Sequence, residues 1–332
     1  MEFLISLIYE RKYSSARDID FGLQTNRVEY QVFCYNGLMN AHDFAKGVEK
    51  MVDPMAVGKV LYLQTKLKKL PICLQKKIVK GHIKEGEKMP FVVEPYCSFF
   101  FYKIPDPSKV EKFMPEGFKP AKSAAFIGDT EEYYGIVSMF RIHTNVFWGA
   151  RAEYYLVAEN EKTGLLSWVM MDYISDTISY DEVSGLKSPD IQHAVMTTTC
   201  EGDFLCNMTT TDHKKYVEAD FSLKNAKMRG LNQRLWIEGN TSIAYGRRAG
   251  EADGDLFSLT FFPEEMKDAL DIPLKDVKIS KVASDTAGKF GAILGKVISF
   301  PYAQHMLSDA PGVHTHYGSE QALREAVEKV KF

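Results

Sequence analysis

The pattern of apolar and polar residues changes near residue 90. Before it, "DFAKGVEKMVDPMAVGKVLYLQTKLKKL" carries apolar residues at mixed helical spacing, and "KLKKLPICLQKKIVKGHIK" adds a dense run of lysines. After it, short runs of alternating apolar and polar residues are separated by turn residues, which is typical of antiparallel strands. We therefore predict a partly helical N-terminal extension over 1–88, lysine-rich at its end, and a β domain over 89–332.

Several runs beyond residue 90 have the length and alternation of strands. They are "CSFFFYKI" (97–104), "YYGIVSMFRIHTN" (133–145), "ARAEYYLVAE" (150–159), "LLSWVMMDYIS" (165–175) and "RLWIEGNTSIAYG" (234–246). Asp106 and Pro107 open a short helix over 106–114, and "SEQALREAVEKVKF" closes the chain as an amphipathic helix. Many strands, few short helices and no βαβ alternation predict a mainly β (α+β) protein with a closed or nearly closed antiparallel sheet.

The overall charge limits the partners. The 332 residues include 41 Lys+Arg and 44 Asp+Glu, a net charge of −3. This balance argues against a nucleic-acid binder that works by bulk charge. No stretch approaches the roughly 18 uncharged apolar residues of a membrane span, and "MEFLISLIYERK" lacks the basic start and cleavage site of a signal peptide. We predict a cytoplasmic protein.

The lysine-rich stretch before residue 88 has two interpretations. It matches a basic amphipathic helix at a membrane surface or protein partner, but Pro71 interrupts its pattern. A solvated lysine face is the commoner outcome, so we do not expect membrane contact.

Motifs for metals and cofactors are incomplete. The five cysteines form no CxxC pair and predict thiols, not a zinc site or a disulfide framework. "GKFGAILGKV" has the wrong spacing for a phosphate loop. His314 and His316 place two imidazoles near each other, but no third ligand follows at a convincing spacing. We predict neither a metal nor a cofactor.

Five segments follow one another between residues 91 and about 307 in a distinctive order. They are "YCSFFFYKIPDPSKVEKFMPEGFKP", "GARAEYYLVAENEKTGLLSWVMMDYISD", "DEVSGLKSPDIQHAV", "FSLTFFPEEM" and "ILGKVISFPYAQHM". In this order they resemble the acetoacetate decarboxylase family. The resemblance implies antiparallel strands rolled into a cone or barrel around an apolar cavity, assembled into homo-oligomers. It also implies a lyase whose lysine condenses with a ketone to form an imine, which accepts the electrons of a breaking bond.

The resemblance suggests three catalytic residues. Lys187 takes the position of the nucleophilic lysine if the turn contains a one-residue gap. Glu153 matches a glutamate that lies beside the substrate and orients or protonates intermediates, and Glu182 matches the glutamate of a Gly-Arg-Glu segment. Imine formation needs a neutral amine, whereas a free lysine has a pKa near 10.4. Burial or a neighbouring cation lowers such a pKa by several units.

The chain also departs from the family pattern. The second lysine of the family is Ser188 here, its Gly-Arg is Tyr180-Asp181, and its N-terminal arginine is Val93 or Glu94. A cavity without those cations binds a carboxylate less well. Acetoacetate is therefore a poor fit, and we expect a small or hydrophobic keto compound.

Five further residues are candidate substrate contacts. Two are arginines that replace the missing cations and three are pocket-wall residues: Arg141, Arg151, Tyr180, Trp168 and Met170. The alternative function is a non-catalytic binding protein for an apolar small molecule, in which Lys187 is a solvated turn residue. A weaker alternative is a different β-rich enzyme or ligand carrier.

Overall fold

A computed structural model describes residues 39–82, 88–145, 148–177, 179–181, 185–187, 189–245, 258–283, 293–309 and 317–332. The chain divides between Leu38 and Met39, and every described residue belongs to the second unit, Met39–Phe332. The division into an extension and a β domain at residue 88 stays a prediction.

Strands dominate the described residues, which confirms the prediction of a mainly β protein. The α-helices are α1 (Ala41–Met51), α2 (Pro54–Leu67), α3 (Ile72–His82), α4 (Ser108–Glu111), α5 (Gly239–Thr241) and α6 (Glu320–Glu328). A π-helical turn covers Arg234–Glu238, and 3-10 turns cover Pro263–Met266 and Leu274–Asp276. A transmembrane span needs more length and hydropathy than any of these described helices has.

The strands fall into two sheets and one hairpin. They are β1 (Met89–Val93), β2 (Cys97–Lys103), β3 (Phe118–Pro120), β4 (Lys122–Ser123), β5 (Glu132–His143), β6 (Trp148–Asn160), β7 (Leu166–Ser175), β8 (Ser179–Asp181), β9 (Gly185–Lys187), β10 (Ile191–Thr198), β11 (Asp203–Thr210), β12 (Tyr216–Ser222), β13 (Lys227–Gly230), β14 (Ile243–Tyr245), β15 (Leu259–Phe261), β16 (Asp268–Ile272), β17 (Val277–Ala283), β18 (Ile293–Phe300) and β19 (Gln304–Ser308).

The larger sheet has 13 strands and is branched at β5. Its main path is β13-β16-β18-β2-β5-β1-β19-β15, and β4 and β6 also pair with β5. Strands β3 and β7 pair with β6, and β14 joins β7 as a parallel partner. The smaller sheet has the order β10-β11-β12-β17, and β8 and β9 form a separate hairpin. The pairings among the described strands do not close a ring, so the closed barrel stays a prediction.

One face of the larger sheet packs against the smaller sheet. Phe100, Val137 and Tyr154 are buried here in a single apolar cluster with Phe204 and Phe221 of the smaller sheet. The rings of Phe204 and Phe221 stack with their centroids 4.6 Å apart. Burial of this apolar area holds the two sheets together.

The opposite face of the larger sheet is covered by helices, and we call it the helix-covered face. Phe101 and Ile136 of the sheet share a core there with Phe44 of α1, Trp236 of the π-helical turn and Leu323 of α6. Both faces of the central strands are therefore buried, which explains why every residue of β7 is buried.

The prediction of a strand over 234–246 is wrong for most of its length. Leu235, Trp236 and Ile237 are consecutive and all buried, which a helical turn inserted into a core allows and a strand with one solvated face does not. Gly239 lets this turn approach the sheet, because a Cβ at this position would lie 1.9 Å from the indole of Trp168. Only Ile243–Tyr245 form a strand.

Helix α1 is attached to the sheet by apolar and charged contacts. The Asn40 side chain caps it by accepting a hydrogen bond from the Asp43 N–H at 2.9 Å. Phe44 and Val48, one turn apart, are fully buried on its inner side. The imidazole of His305 on β19 lies 2.9 Å from Glu265 Oε1 through Nδ1 and 3.4 Å from Glu49 Oε1 of α1 through Nε2.

We expect the stability of the protein to fall as the pH rises above about 6.5 because of His305. Burial alone lowers the pKa of His305, but the hydrogen bonds and charges of Glu265 and Glu49 outweigh it and raise the pKa above 6.5. A raised pKa in the folded state contributes stability that is full below the unfolded pKa and is lost as the pH rises through the folded pKa. Urea denaturation between pH 5.5 and 8.5 measures this slope. His305→Gln should flatten it, and an unchanged slope in that variant contradicts the assignment.

Candidate functional site

The register of four neighbouring strands brings polar residues together on the helix-covered face. Phe99 of β2 lies opposite Ser138 of β5, which lies opposite Glu153 of β6. Glu153 in turn lies opposite Tyr173 of β7. Directly opposed residues of antiparallel strands point to the same side of a sheet, so these four side chains form one row across it.

Glu153 is the centre of a buried polar cluster. Only 7% of the residue is exposed, and its Oε1 lies 2.9 Å from Nη2 of Arg151. The hydroxyl of Tyr155 donates a hydrogen bond to Oε2. The Arg151 guanidinium also lies over the Tyr173 ring, 4.7 Å from its centroid. We call Arg151, Glu153, Tyr155 and Tyr173 the Glu153 cluster.

Strand alternation explains why three members of this cluster meet. Residues 151, 153 and 155 are two apart on β6, so their side chains share one face. On that face a carboxylate removed from water needs a cation and hydrogen-bond donors. Arg151 and Tyr155 supply both, and the pair of Arg151 and Glu153 carries no net charge.

Two further groups lie beside Glu153. The hydroxyl of Ser138, directly opposite Glu153 on β5, is buried and has no hydrogen-bond partner among the described residues. Burial raises the pKa of the Cys97 thiol well above its usual range, and the negative charge of Glu153 raises it further. A thiol in this state is a poor nucleophile, so Cys97 contributes packing.

Trp168 and Met170 lie in the same core as the Glu153 cluster. Met170 is opposite Tyr155 in the register, and the Trp168 ring meets the Tyr155 ring edge to face at 5.1 Å. The Trp168 indole N–H donates to the Leu235 carbonyl at 3.0 Å. Both residues therefore pack beneath the cluster, and the polar atom of Trp168 is bonded within the core.

Arg141 lies apart from the cluster. Phe140 is opposite Arg151 in the register, so the next residue, Arg141, starts on the other face of the sheet. Its side chain is exposed, and Nε lies 3.4 Å from Glu94 Oε2. The structure brings Arg151 to Glu153 but does not bring Arg141 there.

Asp172 marks a second polar group, on the face toward the smaller sheet. Lys215 Nζ lies 3.0 Å and 2.9 Å from the two oxygens of Asp172. Tyr154 is opposite Asp172, and burial followed by the Asp172 charge raises the pKa of its hydroxyl well above the usual range. This lysine is therefore separated from Glu153 by the sheet.

The hairpin that carries Lys187 begins just beyond β7. Ser179 lies opposite Lys187, and Tyr180 lies opposite Leu186. The side chains of Lys187 and Tyr180 lie outside the described part of the chain, as do Glu182, His314 and His316 entirely. Of the described residues, no group of three or more His, Cys, Asp or Glu side chains is arranged to hold a metal.

The chain just after this hairpin is attached to the end of β7. The Asp190 N–H donates to the Ser175 carbonyl at 3.0 Å, and an Asp190 side-chain oxygen accepts from the Ser175 N–H at 2.8 Å. Ser175 lies opposite Arg151 in the register. Lys187 is three residues before Asp190, so its Cα lies within about 11 Å of the Asp190 Cα.

Comparisons with known proteins find similarity among solved structures. No family model and no curated protein matches the chain. Solved structures are similar to this chain at low sequence identity. A crystal structure of acetoacetate decarboxylase from Legionella pneumophila is 10% identical, with a TM-score of 0.44, and the alignment covers 72% of this chain and 94% of that chain.

Two other solved structures are similar to a lesser degree. An acetoacetate decarboxylase-like enzyme from Sphingomonas wittichii is 10% identical, with a TM-score of 0.39, over 67% of this chain and 92% of that chain. The enduracididine biosynthesis enzyme MppR, complexed with the condensation product of pyruvate and imidazole 4-carboxaldehyde, is 11% identical. Its TM-score is 0.37, over 68% of this chain and 86% of that chain.

Sequence reasoning missed Tyr155, Tyr173 and Ser138. Alternation was the signal that could have found Tyr155, since residues two apart on a strand share a face. Ser138 and Tyr173 required the strand register, because they lie 15 and 20 residues from Glu153 along the chain.

Proposed function

We propose that this protein is a divergent acetoacetate decarboxylase-like lyase in which Lys187 forms a Schiff base with a small or hydrophobic keto compound. The proposal includes the cone or barrel with an interior cavity and the homo-oligomeric assembly that the resemblance implies.

The buried Glu153 cluster is the observation that carries this proposal. A glutamate this well buried, at 7% exposure, is costly unless its charge is compensated. The chain supplies compensation with Arg151 at 2.9 Å and with the Tyr155 hydroxyl. Arg–carboxylate pairs in a low-dielectric interior hold their geometry, which is what an acid–base group beside a reacting carbon needs.

The position of the β8–β9 hairpin supports Lys187 as the partner of Glu153. Asp190, three residues after the hairpin, is hydrogen-bonded to Ser175, which lies opposite Arg151. The Lys187 Cα lies within about 11 Å of the Asp190 Cα, and an extended lysine side chain places its amine roughly 6 Å from its own Cα. Lys187 is thus tethered to the same end of β7 as the cluster.

The chemistry follows from these two groups. The Lys187 nitrogen attacks the ketone carbon, and water leaves to give a protonated imine. When a bond to the neighbouring carbon breaks, its electron pair moves to the imine nitrogen and forms an enamine. Glu153 accepts a proton that leaves the substrate in this step. A proton then adds to the enamine carbon and regenerates the protonated imine, which water hydrolyses to free the lysine and the product ketone.

Borohydride trapping tests this mechanism. Hydride adds to the imine carbon, so a trapped ketone raises the mass of the chain by the mass of the ketone less one oxygen. We expect intact mass and peptide mapping to find this gain at Lys187 with at least one ketone of a neutral and acidic panel. Lys187→Arg, which keeps a charge but cannot form the imine, should lose it.

Lys215 is the internal control for this experiment. Its amine is paired with Asp172 on the opposite face, so it should remain unlabelled. The proposal fails if no ketone labels Lys187, or if labelling is spread over exposed lysines equally. Co-purified apolar ligand in native mass spectra, together with no labelling, would favour a carrier.

A further inference from the structure

The positive charge of Arg151 is already paired with a carboxylate of the protein. Its guanidinium pairs with Glu153 Oε1 at 2.9 Å, and the two side chains are only 12% and 9% exposed. An incoming carboxylate would have to compete with Glu153 for this cation while standing close to a second negative charge. In a medium of low dielectric constant that repulsion is strong, so the Glu153 cluster disfavours an anionic substrate.

Ser138 offers the cluster a free hydrogen-bonding group. Its hydroxyl is buried on the helix-covered face, opposite Glu153, and has no partner among the described residues. A buried hydroxyl without a partner loses its hydrogen bond to water on folding and gains no hydrogen bond within the protein in exchange. A bound oxygen atom supplies the missing partner at no further desolvation cost to the serine.

We propose that the site takes an uncharged keto compound, an inference that rests on the proposed function. The Ser138 hydroxyl donates a hydrogen bond to a substrate oxygen. The Arg151–Glu153 pair excludes a substrate carboxylate. A substrate without a free carboxylate loses no CO2. The bond that breaks is then the C–C bond of an aldol-type cleavage or the C–O bond of a dehydration. In the cleavage, Glu153 accepts the proton of the β-hydroxyl as the C–C electrons move to the imine nitrogen.

Acetoacetate and its methyl ester form a matched pair of probes, since the ester removes the charge and keeps the ketone. Isothermal titration calorimetry measures the equilibrium binding of each probe. Binding does not require imine formation, so this measurement tests the inference even if borohydride traps no ketone at Lys187. We expect the wild-type protein to prefer methyl acetoacetate. Glu153→Gln removes the negative charge beside Arg151, so the binding ratio should shift toward acetoacetate by about tenfold or more, the size of a charge-assisted hydrogen bond.

The outcomes separate this inference from the proposed function. A wild-type preference for acetoacetate, or an unchanged ratio in Glu153→Gln, overturns the uncharged-substrate inference and leaves Lys187 chemistry intact. Preferential binding of the ester without any trapping at Lys187 overturns the Schiff-base proposal and keeps the inference about charge. Binding of neither probe overturns the inference that this cluster recognises a small ketone.

Ser123 provides the matched control for Ser138. Both hydroxyls are buried without a partner among the described residues, but Ser123 lies on β4, away from Glu153 in the register. Ser138→Ala and Ser123→Ala should each raise Tm by about 2 °C, because each removes an unsatisfied buried hydroxyl. Only Ser138→Ala should weaken methyl acetoacetate binding, by about fivefold. Equal binding in both variants overturns the role of Ser138.

Discussion

Arg151→Met lowers the free energy of unfolding by about 3–5 kcal/mol, the cost expected when one partner of a buried ion pair is removed. The variant leaves the Glu153 carboxylate buried without its cation at 2.9 Å. It also removes the guanidinium from the face of the Tyr173 ring. Urea denaturation at pH 7, with the slope of the transition compared between variants, measures the change.

Two further variants show whether the cost comes from the unpaired charge. In Arg151→Met combined with Glu153→Gln the Glu153 charge is removed together with its cation, so most of the lost stability should return. Lys281→Met breaks a surface pair in which the lysine side chain is 62% exposed and lies 3.2 Å from Glu218, and it should cost about 1 kcal/mol or less. An Arg151→Met variant no less stable than Lys281→Met contradicts the buried pair.

Trp236→Ala should cost about 3–5 kcal/mol, because it removes one of the two tryptophans of the helix-covered core and leaves a cavity. Trp236 is 1% exposed, and its ring meets those of Phe99 at 5.1 Å and Phe300 at 5.3 Å. Its indole N–H donates to the Ala125 carbonyl at 2.8 Å, a bond that the variant also loses.

Trp148 provides the comparison for this second prediction. It is 42% exposed, although its indole N–H also donates to a backbone carbonyl, that of Thr144, at 3.1 Å. Trp148→Ala should therefore cost far less than Trp236→Ala in the same denaturation experiment. Similar losses in the two variants would show that burial does not decide the stability of this core.

The strand positions followed from the sequence where side chains alternate or where an apolar run is long. The predicted strand 97–104 corresponds to Cys97–Lys103, and 150–159 lies within Trp148–Asn160. The predicted helix 106–114 is present but shorter, Ser108–Glu111, with Asp106 accepting from the Ser108 N–H at 3.1 Å. These features depend on residues a few positions apart, which is why local patterns predict them.

The π-helical turn at Arg234–Glu238 shows where local patterns fail. Leu235, Trp236 and Ile237 have the composition of a buried strand, and the helical turn that they form packs where Gly239 lies close to Trp168. That contact joins residues 71 positions apart in the chain. Tertiary packing overrode local propensity here, as it does where a segment is buried on all sides.

The candidate site also has a part that local sequence determines and a part that depends on tertiary structure. The amino-acid sequence alone determined that Glu153, Arg151 and Tyr155 share a face of one strand, because a strand repeats every two residues. Only the tertiary structure decided that Ser138 and Tyr173 lie beside Glu153 and that Arg141 does not. Register is a property of pairs of strands, set by how both of their faces pack against the rest of the protein, and no single stretch of the chain contains that information.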